Sequence, residues 1–350
     1  MAFDLTHTWR NGIESSVAKK VSFKTIATAI VCFAFARLLI GSAPAWGAQA
    51  LWAADSIGSQ IQEFSPTDLM TSGSPTPTVL TSASNLVFGI AFDQAENLWA
   101  VIDTGSASEI VEFSVAQLQG LGGNSAPTPA AVITSASFAN LRGCAFDHQG
   151  NFWVADVSAG VHEISSAQLA GGTADLTPAI TLTLPDFNHV NFIAFDKSGN
   201  LWASDIDADK IYELKKKQIK SSNTVTPAVI LSSATFGENE GIVFDGGGNL
   251  WVANSDRNNV QKFSKKSIKK SGHPKAAVTI SDASMTNLDI PSGLAFDASG
   301  NLWVSNFHDS SISEFTTSQI KSSGSPTPAV HLTNTSSLLS PYQITFGPSD

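Results

Sequence analysis

The chain has 350 residues, of which 42% are apolar and 14% are charged, and its formal net charge is −10 at pH 7. This apolar content excludes a chain that is disordered along its whole length, and the acidic balance argues against a nucleic-acid binder, which needs a basic surface. The length allows one large all-β domain or two to three domains of average size.

The first fifty residues differ from the rest of the chain. A basic stretch that ends at Lys24 precedes an apolar run over 25–36, and the stretches 43–45 and 48–50 each fit an A-x-A cleavage site. An apolar run of this length is too short to span a bilayer comfortably. The sequence therefore predicts that residues 1–50 are a signal peptide and that the protein is exported, to the periplasm or outside the cell. An N-terminal membrane anchor that stays attached is the alternative.

From residue 51 onward, a unit of about fifty residues recurs along the chain. Its clearest copy covers 241–254, and the pattern F-D-x-x-G-N-L-W returns in the other copies with small variations. Tryptophan marks the same position in six units: Trp52, Trp99, Trp153, Trp202, Trp251 and Trp303. Self-similarity at a period of this size indicates a repeat architecture.

Each unit is predicted to contain four short strands, named A to D. Strand A is a short apolar run such as 242–244, the D-x-x-G-N turn leads into strand B, and strand C alternates as in 211–214. A proline then opens strand D, which suits the outer edge of a sheet. Capping boxes predict one short helical turn between strands C and D in three units: Ser114 with Gln117, Ser165 with Gln168, and Thr316 with Gln319.

Four-stranded units of this length predict an all-β fold, a six-bladed β-propeller over 51–350. A solenoid is the alternative, but it would carry distinct polar caps at its ends. Here the two ends complement each other, because 342–350 has the pattern of a strand A and 51–81 has that of strands B, C and D. We expect these segments to form one blade, which closes the ring without a covalent link and leaves no open edge.

The stretch over 296–305, F-D-A-S-G-N-L-W-V-S, resembles NHL-repeat propellers and the related gluconolactonase-type (SMP-30-like) six-bladed propellers. The resemblance covers essentially all of 51–350. It implies the fold more strongly than any one activity, because this scaffold hosts binders, lactonases and lyases alike.

In such a ring, the D-to-A and B-to-C loops surround one mouth of the central channel. The residue before each strand A motif is expected to point toward that mouth, and it differs in every blade: Phe88, Arg142, Asn191, Glu240, Ser292 and Tyr342. Varied polar residues around a mouth favour a binding site. The sequence therefore predicts a binding or scaffold module without a cofactor, a monomer whose ligand is a protein, a peptide or a small molecule.

A metal-dependent lactonase or a streptogramin-lyase-like enzyme is the alternative function. Gluconolactonase-like propellers hold a divalent cation on the channel axis, and this resemblance makes Glu240 and Asn191 candidate ligands for calcium. Asp205 or His189 would then be the candidate catalytic base. Arg142 would repel a cation, so we expect instead an ion pair between Arg142 and Glu240 across the mouth.

Two other sets of polar residues have interpretations of their own. Ten lysines from Lys215 to Lys275 lie in the C-to-D segments of two adjacent blades, on the outer rim. They form either a solvated face or an anchor for an anionic envelope polymer or lipid headgroups. Asp or Asn at the end of strand B is expected to stabilise turns in all six units: Asp55, Asp103, Asp156, Asp205, Asn254 and Asn306.

Overall fold

The computed structural model describes residues 49–81, 85–121, 125–185, 188–282, 284–333 and 337–349. The chain divides into two units, Met1–Trp46 and Gly47–Asp350. All described residues belong to the second unit, and the predicted signal peptide falls almost entirely outside them. None of the described helices is long and apolar enough to cross a membrane.

The second unit contains six antiparallel sheets, each with four main strands, and these are the blades. Blade 1 has β1 (Ala50–Asp55), β2 (Gln60–Phe64) and β3 (Thr78–Thr81), and blade 2 has β4 (Leu86–Phe92), β5 (Leu98–Asp103), β6 (Ser108–Phe113) and β7 (Ala131–Thr134). Blade 3 has β8 (Leu141–Phe146), β9 (Phe152–Asp156), β10 (Gly160–Ile164) and, after the short β11 (Ala174–Asp175), β12 (Ile180–Thr183). Blade 4 has β13 (Val190–Phe195), β14 (Leu201–Asp205), β15 (Lys210–Leu214) and, after the short β16 (Asn223–Thr224), β17 (Val229–Ser232). Blade 5 has β18 (Asn239–Phe244), β19 (Leu250–Asn254), β20 (Asn259–Phe263) and β21 (Val278–Ser281), blade 6 has β22 (Pro291–Phe296), β23 (Leu302–Asn306), β24 (Ser311–Phe315) and β25 (Val330–Thr333), and β26 (Pro341–Gly347) is the last strand.

The predicted helical turns between strands C and D are confirmed. They form α1 (Val115–Leu118), α2 (Ser166–Leu169) and a 3-10 turn at Gln319–Lys321. Both reciprocal bonds of the capping box are present in α1 and α2, and Thr316 and Gln319 exchange the same two bonds. Two other 3-10 turns, Asp68–Met70 and Ser255–Arg257, complete the described helical residues.

The predicted closure of the ring is also confirmed. Strand β26 pairs antiparallel with β1, which places Phe346 opposite Leu51 and Thr345 opposite Trp52. The strands β26, β4, β8, β13, β18 and β22 then follow one another around the central channel, each beside the next, and β22 returns to β26. Blade 1 is thus built from both ends of the propeller, and the ring has no unpaired inner strand.

The recurring F-D-x-x-G-N-L-W pattern is a set of hydrogen bonds that fixes each A-to-B turn. In blade 5, Asp245 Oδ1 accepts the backbone N–H groups of Gly247 and Asn249, each at 2.9 Å. Its Oδ2 accepts the indole N–H of Trp251 at 3.2 Å, and Asn249 Oδ1 accepts the N–H of Lys265 at 3.0 Å. The motif therefore ties the turn both to the buried Trp and to the C-to-D segment, which is why it repeats.

Strand D is the outermost main strand of every blade, as its proline predicts, but its outer edge is partly paired. In every blade, the C-to-D segment of the next blade adds a short parallel pairing to strand D. Strand β11 pairs with β7, and β16 pairs with β12. Single bridges do the same in the other four blades: Leu80 with Ser125, Leu231 with Gly272, Ile280 with Gly324, and Leu332 with Gly73. Each blade therefore covers the edge of its neighbour, which protects the sheet from pairing with another chain.

The inner strands approach one another closely where glycine follows the mouth residue. A Cβ on Gly241 would lie 2.1 Å from the carbonyl oxygen of Ser292 in the next blade, and one on Gly293 would lie 2.2 Å from that of Tyr342. Such contacts are sterically impossible, so glycine sets the distance between adjacent blades at these positions.

Deleting Tyr342–Asp350 is expected to lower the melting temperature by about 10 °C or more, because it removes the partner strand of β1 and buried side chains such as Ile344. Deleting only Ser349 and Asp350, which follow β26, is the control and should leave melting unchanged. Thermal unfolding followed by circular dichroism measures both. A protein without Tyr342–Asp350 that melts like the full chain would contradict the closure.

Gly241→Ala is expected to destabilise the chain by about 1–3 kcal/mol, because the new methyl group meets backbone that cannot move aside easily. Gly246→Ala is the matched control, since a Cβ there has nothing within 4 Å. Its expected effect is within about 0.5 kcal/mol of zero. Urea unfolding gives both values, and equal effects of the two substitutions would refute the proposed role of the glycine.

Candidate functional site

The mouth residues predicted from the sequence lie at the start of the inner strands, at the end of the channel where the D-to-A and B-to-C loops meet. We call this end the mouth face and the opposite end, with the A-to-B turns, the turn face. Five of the six residues contact at least one other member of the set, while Ser292 is buried without a hydrogen bond to its side chain. The six residues, from blade 1 to blade 6, are Tyr342, Phe88, Arg142, Asn191, Glu240 and Ser292.

A hydrogen bond between opposite blades crosses the channel mouth. Tyr342 Oη, from blade 1, donates to Asn191 Oδ1, from blade 4, at 2.6 Å. The Tyr342 ring packs edge-on against Phe88 with centroids 5.4 Å apart, and it lies 5.1 Å from the Phe192 ring. Because blades 1 and 4 face each other across a ring of six, this bridge divides the mouth into a half at blades 2 and 3 and a half at blades 5 and 6.

Gln343 follows Tyr342 on the closing strand, and its side chain makes three hydrogen bonds with backbone groups of other blades. Its Nε2 donates to the carbonyl oxygens of Ile90 and Cys144 at 3.0 and 2.9 Å, and its Oε1 accepts the N–H of Cys144 at 3.0 Å. One side chain of the closing strand thus bonds to the inner strands of blades 2 and 3. Sequence reasoning missed it, although the signal was present, since Gln343 occupies the position at which four other blades have glycine.

The expected ion pair between Arg142 and Glu240 does not form, so that prediction is wrong. The two residues belong to blades 3 and 5, and the Tyr342–Asn191 bridge lies between them. Asn191 Nδ2 donates to the Glu240 carboxyl group instead. Arg142 stacks on Phe88, with its guanidinium carbon 3.8 Å from the ring centroid.

Arg142 is half-buried and has few partners for its donors. Its Nη1 donates to the carbonyl oxygen of Leu141 at 2.9 Å, and none of the ion pairs among the described residues includes it. Burial lowers the pKa of Arg142, and the nearby Tyr342, Asp103 and Glu240 oppose this shift. Arginine remains charged in a site of this kind, so blades 2 and 3 present a cation at the mouth.

Glu240 occupies the other half of the mouth in an unusual protonation state. Burial raises the pKa of Glu240 to about 8, while its hydrogen bonding with Tyr342 and the charge of Arg142 oppose the rise. At neutral pH the carboxyl group is therefore largely protonated, and it can donate a hydrogen bond. Strongly shifted pKa values of this kind cluster at functional sites.

Two polar side chains beside Glu240 are buried without partners among the described residues. Asn239 is fully buried, and neither its amide nitrogen nor its amide oxygen has a hydrogen bond. The Ser292 hydroxyl group is 1% exposed and also lacks a partner. Residues at the position of Asn239 in other blades, such as Leu141 and Val190, are apolar. A buried amide where the fold accepts an apolar residue indicates a role other than packing.

The Asp and Asn side chains at the end of strand B are structural in the blades that have them, but the set is smaller than predicted. Asp156, for example, accepts the N–H groups of Ala139 at 2.8 Å and of Ser158 at 3.0 Å, which ties the D-to-A loop to the B-to-C turn. In blade 2 the equivalent position, three residues after the Trp, is Ile102. Asp103 is one residue further along, is half-buried, and accepts only the N–H of Gly105, at 2.7 Å.

The two candidate bases are engaged elsewhere. Asp205 is fully buried, and its carboxylate accepts the N–H groups of Asn188 at 2.9 Å and of Ala208 at 3.0 Å. His189 is 28% exposed, and its Nδ1 lies 3.5 Å from Asp207 Oδ2. The structure places both on the mouth face, and neither makes a hydrogen bond with Glu240 among the described residues.

The oxygen atoms available at the mouth do not match the ligands of a calcium site. Calcium takes six to eight oxygen ligands, usually with several carboxylates. Glu240 is the sole carboxyl group of the six mouth residues, and Asn191 Oδ1 already accepts from Tyr342. Among the described residues, no group of three or more His, Cys, Asp or Glu side chains could hold a metal ion.

Comparison with known proteins shows a likeness in fold. No protein-family signature and no curated protein sequence matches the chain. A protein of unknown function from Bacteroides caccae superposes with a TM-score of 0.60 and 12% identity, over 86% of this chain and 99% of that one. Virginiamycin B lyase from Staphylococcus aureus gives a TM-score of 0.45 and 15% identity over 67% of each chain, and a streptogramin B lyase gives 0.43 and 16% over 67% of this chain and 66% of that one. The likeness to the Bacteroides caccae protein is one of fold alone.

Glu240→Gln is expected to make stability less dependent on pH. The folded chain keeps the Glu240 proton up to about pH 8, whereas the unfolded chain loses it near 4.5, so the free energy of unfolding of the wild type falls as the pH rises between these values. Glutamine preserves the acceptor for Asn191 and cannot ionise. We expect the variant to gain up to about 4 kcal/mol relative to wild type at pH 8.5 compared with pH 5.

Urea unfolding at both pH values measures this difference, and Glu163→Gln is the comparison. Burial and the charge of Asp147 raise the pKa of Glu163 to about 7, so the relative gain of that variant should be complete near pH 7 rather than near pH 8. If the free energies of unfolding of Glu240→Gln and wild type differ by the same amount at both pH values, the pKa of Glu240 is not raised in the folded chain.

Proposed function

We propose that this chain is an NHL-like β-propeller that acts as a binding module, and that it takes an anionic group of its ligand at the mouth face. The observation that carries this proposal is Arg142, a half-buried cation without an acidic partner among the described residues of an acidic protein. The proposal includes export from the cytoplasm, supported by the basic stretch and the apolar run before residue 37.

The charges and donors of the mouth favour an anion over a cation. At neutral pH, the protonated Glu240 does not neutralise Arg142, so the six mouth residues together carry a net positive charge, with Asp103 and Asp156 as the nearby carboxylates. The guanidinium group presents donors in a fixed fork that suits a carboxylate, a sulfate or a phosphate. In the opposite half of the mouth, the protonated carboxyl group of Glu240 can donate a hydrogen bond. A ligand that spans the bridge would carry an anionic group at one end and a hydrogen-bonding group at the other.

The contacts favour binding over the lactonase alternative. Lactone hydrolysis in this type of propeller relies on a metal-activated water, and the mouth offers one carboxyl group where a divalent cation needs several oxygen ligands. Asp205, the buried candidate base, is held by backbone N–H groups. The shifted pKa of Glu240 is the one feature that an enzyme would share with this binding site.

A thermal-shift screen of small carboxylates, sulfates and phosphomonoesters tests the proposal, followed by titration calorimetry of the compounds that stabilise the chain. Arg142→Gln is expected to weaken the binding of these compounds about tenfold or more, since a charge-assisted hydrogen bond is lost. Arg257→Gln, which removes an exposed cation from a B-to-C turn, is the matched control and should bind as wild type does. Binding should also weaken as the pH rises through 8, because ionised Glu240 repels the anion.

Three results would contradict the proposal. Compounds could bind Arg142→Gln as tightly as wild type, affinity could rise as Glu240 ionises, or the whole screen could yield no binder. Hydrolysis of a lactone panel that depends on Glu240 and is abolished by a chelator would instead support the enzyme alternative.

A further inference from the structure

Three cavities on the turn face occupy equivalent positions between successive blades. Each has the Asp, Asn and Trp of one A-to-B turn on one side and the C-to-D segment of the next blade on the other. Groove 1 lies between blades 2 and 3, around Trp99 and Leu169, with a volume of 350 Å³. Groove 2 lies between blades 3 and 4, around Trp153 and Ile219, with 490 Å³, and groove 3 lies between blades 4 and 5, around Trp202 and Ile268, with 320 Å³.

The grooves share their fold-determining residues and differ in charge. Groove 1 contains Gln94, Ser166 and Ala170, none of which is charged. The equivalent residues of groove 2 are His148, Lys216 and Lys220, and those of groove 3 are Lys197, Lys265 and Lys269. Since groove 1 forms without any lysine, the propeller does not require these cations, and their presence in grooves 2 and 3 needs another explanation.

The lysines of groove 3 are not neutralised by the acids that line it. Asp196 is occupied by its own turn, where it accepts the N–H groups of Ser198 and Asn200. Glu213 forms an ion pair with Lys215. Lys197, Lys265 and Lys269 form no ion pair among the described residues, and each is exposed.

The lysines that the sequence placed together on the outer rim therefore divide into two kinds. Lys262 is structural, because its Nζ lies 3.3 Å from Asp245 and 5.2 Å from the centroid of the Trp251 ring. Lys216 and Lys220 in groove 2 continue the row of lysines in groove 3, since both grooves use the same C-to-D segment position. The result is a cationic track that crosses two adjacent grooves on a protein of net charge −10.

We propose that grooves 2 and 3 together bind an anionic polysaccharide, a chain of sugar rings that carries carboxylate or sulfate groups. Lysines on both walls of groove 3 match repeated anionic groups, and a polymer that spans two grooves engages more cations than a single ion would. Phe244, which is half-buried, lines groove 3 and gives it a small apolar surface against which the C–H face of a sugar ring can pack.

Two other polyanions fit the surface less well. A membrane needs exposed apolar side chains beside the cations, and the large exposed apolar residues among those described lie elsewhere: Ile57, Met70, Leu86, Met285 and Leu339. Single-stranded nucleic acid binds on exposed aromatic rings, and the same set contains none.

Binding of the full propeller to heparin and to polygalacturonate at low salt tests the proposal, with neutral dextran as the blank. Lys197→Gln/Lys265→Gln/Lys269→Gln is expected to weaken binding at least tenfold and to reduce its salt dependence. Lys210→Gln/Arg257→Gln/Lys321→Gln removes the same charge from positions that line neither groove 2 nor groove 3 and serves as the matched control. We expect it to bind within threefold of wild type.

The converse variant installs the track in groove 1. Gln94→Lys/Ser166→Lys/Ala170→Lys extends the row of lysines by one groove, and we expect it to bind heparin more tightly than wild type. Melting temperatures close to wild type for all variants would show that they fold. Arg142→Gln should leave polysaccharide binding unchanged, which separates this site from the mouth.

Equal losses of polysaccharide affinity in the groove 3 variant and in the control would overturn the proposal, because binding would then follow net charge alone. Unchanged binding by the groove 3 variant would overturn it as well. Tighter binding to single-stranded DNA or to vesicles of anionic phospholipid than to either polysaccharide would refute the assigned class of ligand.

Discussion

The antiparallel pairing of β26 with β1 is the constraint on which the rest of the propeller depends. Blades 2 to 6 form from continuous stretches of chain, but blade 1 exists only when the two ends of the propeller meet. The closing strand also reaches into the channel, where Tyr342 bonds to Asn191 of the opposite blade and Gln343 bonds to the backbones of blades 2 and 3. Closure of the ring and construction of the mouth are therefore one event.

Repeated residues maintain the blades, and the residues that differ between blades carry the candidate functions. The Asp, Asn and Trp of each A-to-B turn make the same hydrogen bonds in five blades, so their chemistry is fully used by the fold. Arg142 and Asn239 occupy positions that other blades fill differently. Among the described residues, Arg142 forms no ion pair and the Asn239 amide group makes no hydrogen bond. The same comparison on the turn face separates Lys262, which is structural, from Lys265 and Lys269.

The sequence predicted what is encoded locally and failed where distant parts of the ring meet. The period of the Trp residues, the capping boxes and the complementary ends are features of short segments, so the blade count and the closure could be derived from them. The expected Arg142–Glu240 ion pair failed because Tyr342 crosses between the two residues, and no local pattern reports that crossing. Asp103 was assigned to the wrong register by one residue, since β5 ends four residues after its Trp and the equivalent strands of the other blades end three residues after theirs. The cover over each strand D also depends on a neighbouring blade.

Native-state hydrogen exchange across the propeller tests the central role of β26 most directly. If the closing strand holds the ring together, the amide groups of 342–346 should exchange with the same free energy as those of the opposite inner strand, 190–195, and as those of global unfolding. Exchange of 342–346 at a much lower free energy, while β13 and the other inner strands remain protected, would contradict this account, because the strand could then detach without loss of the ring.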